Sequence, residues 1–74
     1  MSKLSPIRAK ELISILLKQG FKQVHQKGSH VRLEHLDGRK TTIPLHSGEN
    51  IGVGLLRKIL RDTNISRDEF ERLK

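Results

Sequence analysis

The sequence has no cysteine, no tryptophan and no tyrosine, and only two phenylalanines among 74 residues. Without cysteine there is no disulfide staple, no thiolate zinc site and no thiol nucleophile. With so few aromatics the core has to be aliphatic and thin, and stacking platforms for single-stranded bases are scarce. Apolar runs are short as well. Met1-Ser2-Lys3-Leu4 leads straight into an amphipathic pattern, with neither a signal peptide nor a membrane span, so the expected compartment is the cytoplasm. Acidic residues are outnumbered, eight against fifteen Lys and Arg, for a net charge of +7. Such a balance attracts polyanions, and nucleic acid is the commonest of these in a cell. A chain this short buries only about 60% of its unfolded surface. The expectation is one domain over residues 1–74 with a single two-layer packing, no cofactor, and no depth for a cofactor cavity.

Ser5-Pro6 has the form of a helix start, Ser as N-cap and Pro in the first turn. Ala9, Leu12, Ile13, Leu16 and Leu17 then recur at core-facing helical spacing, with Gly20 as the stop. Three strand patterns follow, 21–26, 30–35 and 40–45, separated by turns at Lys27-Gly28 and Asp37-Gly38. Pro44 cannot donate to a ladder, which places the third strand on an edge. After a loop punctuated by Gly48, Gly52 and Gly54, a second helix starts near Val53 or Leu55, with Leu56, Ile59, Leu60 and Thr63 inward and Thr63-Asn64 closing it. Ser66 and Glu69 then form a capping box, and Ile65 with Phe70 a hydrophobic staple, for a short third helix. The fold class is α+β: α-β-β-β-α, a three-stranded antiparallel sheet with helices on one face and a short extra C-terminal helix.

A consistent core face fixes an expected register. A two-residue turn at Lys27-Gly28 pairs Val24 with Val31 and His25 with His30. A three-residue loop ending at Arg39 pairs Leu33 with Ile43, Val31 with Leu45, His30 with His46 and Arg32 with Pro44. Val24, Val31, Leu33, Ile43 and Leu45 then face the helices. His25, His30, His46, Gln23, Arg32 and Thr42 share the other face, which is too polar for a core.

On that face His30 follows Gly28-Ser29, where glycine permits close backbone approach and serine adds a hydroxyl. Histidine titrates near neutral pH and can act as general base or general acid. In RNA cleavage the 2′-hydroxyl is the nucleophile, so proton transfer by side chains is sufficient chemistry. Lys22, Lys27 and Arg32, with the backbone of Gly28 and Ser29, are the candidate RNA contacts; the basic residues of the helices read as solvated. His25 and His46 carry three open readings: assisting acid–base partners of His30, members of a three-histidine zinc site, or plain strand-end surface residues. Gly52-Val53-Gly54 lacks the later glycine and the βαβ setting of a dinucleotide fingerprint, although a glycine-opened helix start can offer N–H groups to phosphate. A helix-turn-helix reading of the last two helices fails on Asp68, Glu69 and Glu71, which are poor major-groove readers.

Taken together, the first helix leading into Gln19-Gly20-Phe21, Gln26-Lys27-Gly28-Ser29-His30, Ile43-Pro44-Leu45-His46 and Gly54-Leu55-Leu56-Arg57-Lys58-Ile59-Leu60 resemble the HicA toxins of toxin–antitoxin pairs. The resemblance covers nearly the whole chain. It implies a double-stranded-RNA-binding-like fold, ribonuclease activity on mRNA, inhibition by a HicB-type antitoxin that covers the active site, and a catalytic role for His30. It does not require His25. Leu55 stands where the family often has Thr, which leaves a phosphate role for that helix start in doubt. The alternative is a non-catalytic RNA-binding module of the same fold.

Overall fold

The computed structural model describes residues 4–45 and 50–74. In chain order it forms β1 (Ile7–Arg8), α1 (Ala9–Lys18), β2 (Lys22–Lys27), β3 (His30–Glu34), β4 (Lys40–Pro44), β5 (Asn50–Ile51), α2 (Val53–Thr63) and α3 (Arg67–Leu73). Strands β2, β3 and β4 make an antiparallel meander in that order, with β4 on an edge as Pro44 demands. The small α+β architecture, with helices on one side of this sheet, matches the expectation from sequence.

The chain start departs from it. Ser5 and Pro6 precede the helix; Ile7 and Arg8 instead pair with Ile51 and Asn50, and Arg8 takes the N-cap place of α1. Ile7 and Ile51 are both buried in the core. Burying an isoleucine is worth about 1.5–3 kcal/mol, against about 1 kcal/mol for a serine cap, so the two-residue ladder wins. Helix α1 also sits rotated from the expected stripe: Ala9, Leu12, Ile15 and Leu16 are buried, Ile13 is half-buried and Leu17 is 45% exposed. At 100° per residue Ile15 and Leu17 flank Leu16 on opposite sides. Both are apolar, and only tertiary packing chooses between them. The helix ends as expected, with Gly20 at φ +96, Phe21 N–H donating to the Leu16 carbonyl and Gly20 N–H to that of Leu17.

Both hairpin registers are displaced by two residues from expectation, and one glycine rule explains each. At the first turn the loop is Gly28-Ser29, so Lys27 pairs with His30, Gln26 with Val31 and His25 with Arg32. Gly28, at φ +58, occupies the first central place, where a two-residue loop of the II′ kind needs glycine. At the second turn His35 N–H donates to the Arg39 carbonyl across Leu36-Asp37-Gly38. Gly38, at φ +100, takes the third place of that three-residue loop, where the left-handed residue belongs. Val31 therefore pairs with Ile43, Leu33 with Thr41, Arg32 with Thr42 and His30 with Pro44. A shift of two preserves the faces: Val31, Leu33 and Ile43 are fully buried, while Leu45 is half-buried against the same core.

Val24 is the exception. A bulge between Gln23 and His25 leaves it outside the ladder and 51% exposed, not in the core. Helix α2 packs on β4, and α1 also reaches β4, whereas all six residues of β2 are exposed. Thr41, buried opposite Leu33, donates its hydroxyl to Asp62 Oδ2 on α2 at 3.0 Å, and Lys58 Nζ reaches the same oxygen at 3.0 Å. The α2 stripe of Leu56, Ile59, Leu60 and Thr63 is buried as read, and Asn64 closes the helix at φ 56. Ser66 Oγ accepts from Glu69 N–H at the start of α3, with Ile65 and Phe70 buried beside it.

Arg39 ties these pieces together. Its guanidinium donates to the Thr63 carbonyl at the end of α2 and to Asp37, and lies 5.1 Å from the Phe21 ring centre. His35 meets the edge of the same ring, and its Nδ1 accepts from Asp37 N–H. A Cβ at Gly20 would come within 2.8 Å of His35 Nε2. Gly20→Ala is therefore expected to lower unfolding free energy by about 2 kcal/mol through left-handed strain and this clash; Gly28→Ala, with open space around it, loses about half of that. Denaturant titration of both variants checks the difference.

The Arg39 side chain and N–H hold the Asp37 carboxyl below its usual value. A lowered carboxylate stabilises the fold at every pH above its unfolded value, and that stability is lost as pH falls through the folded one. Asp37→Asn should thus lower the melting temperature at neutral pH and melt like the parent in strong acid.

Candidate nucleic-acid interface

The register sorts the outer face of the sheet into three cross-strand rows. Nearest the Gly28-Ser29 turn, Lys27, His30 and Pro44 lie side by side. Next come His25, Arg32 and Thr42, and beyond the bulge Lys22, Glu34 and Lys40. Lys22, His25, Lys27, His30, Arg32, Lys40 and Thr42 are all exposed. Strand pleat alone dictates this: with Val31 and Leu33 inward, His30 and Arg32 must point outward.

The turn that carries His30 is held from both sides. Lys27 and His30 close the hairpin, and Leu45 N–H donates to the Ser29 carbonyl, extending the β3–β4 ladder through the turn. His30 thus stands on a fixed frame beside Lys27 and, two residues on, Arg32. Arg32 Nε lies 3.7 Å from Glu34 Oε2 with both side chains about half exposed. An exposed pair at that distance contributes little, and the guanidinium keeps its forked donors for an incoming anion.

Three of the expected placements change, those of His25, His30 and Gln23. His25 stands opposite Arg32 rather than His30, and His30 stands opposite Pro44 rather than His46. The expected row of three imidazoles is therefore not formed by His25 and His30, and His46 lies outside the described residues, as does Gly48. Among the described residues no three His, Cys, Asp or Glu side chains group to hold a metal ion. Gln23 leaves the outer face, because the bulge sets it opposite Leu33; its Nε2 donates to Gln26 Oε1, and Gln26 stands opposite Val31. In exchange the bulge brings Lys22 into the outer row with Lys40, which the register from sequence did not align. The start of α2 is capped by extended Gly52 backbone, with Leu55 half-buried in its first turn.

The fold and this face define a small α+β protein that presents a turn-mounted histidine beside Lys27 and Arg32, on a sheet whose opposite face is its core. Residues 9–65 match the family model described as the HicA toxin of bacterial toxin–antitoxin systems. The chain belongs to the HicA toxin family, and membership implies an antitoxin as its partner. A comparison with individually curated proteins found no match. Among the described residues no helix is long and apolar enough to cross a membrane.

Proposed function

We propose that this chain is the toxin of its pair through metal-independent endoribonuclease activity on mRNA in the cytoplasm, with His30 as the catalytic residue. The observation that carries the reading is the placing of His30 at the mouth of a rigid glycine turn, flanked by Lys27 in its own row and Arg32 on its own strand. Acting as base, the His30 imidazole takes the proton of a ribose 2′-hydroxyl. The 2′-oxygen bonds to the adjacent phosphorus, the bond from phosphorus to the 5′-oxygen breaks, and an acid returns a proton to that oxygen. The products are a 2′,3′-cyclic phosphate and a 5′-hydroxyl. His25, one row away, and His46 are the candidates for the second proton-transfer group. Lys22, Lys27 and Arg32 hold phosphates, and Gly28 and Ser29 let the backbone come close; with Phe21 and Phe70 buried, recognition rests on backbone and shape. A HicB-type antitoxin inhibits by covering this face.

Cleavage of a labelled single-stranded RNA in EDTA, parent beside His30→Ala, tests the mechanism. The parent is expected to cut and leave cyclic or 3′-phosphate ends, with the variant slower by about a hundredfold or more. Equal rates would remove His30 from the chemistry. RNA binding by the parent without any cutting would make the chain a binding module.

Lys27→Ala and Arg32→Ala, both exposed, should leave the fold intact and weaken RNA binding. Each is expected to flatten the plot of log affinity against log salt by about 0.7, read by fluorescence anisotropy across a salt series.

A further inference from the structure

On the helical side of the molecule, away from His30, α2 and α3 enclose a shallow cleft between Arg57, Arg61 and Arg67. Arg57 and Arg61 stand one turn apart on the same helix face, a spacing at which like charges destabilise a helix. Helix α2 pairs its lysine: Lys58 reaches Asp62 at 3.0 Å. Among the described residues, none of the three arginine side chains has a hydrogen-bond or ion-pair partner. Three exposed arginines thus line one cleft with no counter-charge drawn to their side chains.

We propose that this cleft docks an acidic, amphipathic segment of the partner antitoxin. The lining favours peptide over RNA. Leu60 and Ile65, both buried, give the cleft an apolar floor, which an aliphatic side chain fills and a phosphodiester backbone does not. Guanidinium forks bind carboxylates in two-point fashion, and an apolar floor takes an aliphatic side chain between them. Helix α3 lies beyond residue 65, where the family match ends. Of the lining, Ser66, Arg67 and Glu69 lie beyond that match. The proposal rests on the toxin–antitoxin reading only for who supplies the segment.

The test is a titration of the isotope-labelled full chain with a synthetic amphipathic Glu/Leu peptide, read by amide shifts. A non-cleavable 2′-O-methyl RNA is titrated in parallel. The peptide is expected to move Arg61, Asn64, Ile65 and Arg67, and the RNA to move β2 and β3. The double variant Arg57→Gln, Arg61→Gln is expected to weaken the peptide by at least about tenfold, while its RNA map and RNA cleavage stay as in the parent. Peptide shifts confined to the sheet, no peptide binding, equal affinity in the double variant, or displacement of the peptide by RNA from the cleft would each overturn the proposal. A parent that fails to cut RNA would overturn the ribonuclease reading and leave the peptide map standing.

Discussion

Everything on the working face depends on the pleat of β3. Successive side chains in a strand point to opposite sides, and Val31 and Leu33 are fully buried. Their burial is worth several kcal/mol, far more than any interaction an exposed histidine makes. His30 and Arg32 are held toward solvent by that difference. The core thus positions the candidate chemistry without touching it, and the Gly28-Ser29 turn needs only to set where along the chain the strand begins.

The same pleat explains what the sequence reveals and what it withholds. The alternation of Val31 and Leu33 with His30 and Arg32 is legible directly, and so are the glycine turns, Pro44 at an edge, and the stripe Leu56, Ile59, Leu60, Thr63. Cross-strand partners are not. A glycine in a hairpin loop can serve the first, second or third loop place depending on turn type, and at both turns the choice moves the partners by two while leaving the faces intact. His30 therefore lands on the right face with the wrong neighbours, and the imidazole row dissolves. Val24 illustrates a different limit: a bulge removes one residue from the count, and nothing in Lys22-Gln23-Val24-His25 marks which one.

Coverage of the sheet was equally hidden. Two helices of ten and eleven residues cover β3 and β4 and leave β2 in solvent, so an apolar residue on β2 has nothing to bury against. The burial of Thr41 required Asp62 from α2, and the role of Arg39 required the carbonyl of Thr63 and the ring of Phe21. These are meetings between distant segments. Arg39 reads as one more surface cation until the end of α2 arrives above it.

The two-residue ladder between β1 and β5 has a consequence for the order of assembly. The meander joins neighbours in sequence and can zip from its own turns. The pairing of Ile7 with Ile51 joins residues 44 positions apart in the chain and has to close a long loop, whose entropy is spent before any contact repays it. It is the natural last clasp in folding and the first to part when the protein is strained. Since β1 runs directly into α1 and β5 reaches α2 through Gly52, parting it frees the starts of both helices while the sheet that bears His30 remains whole.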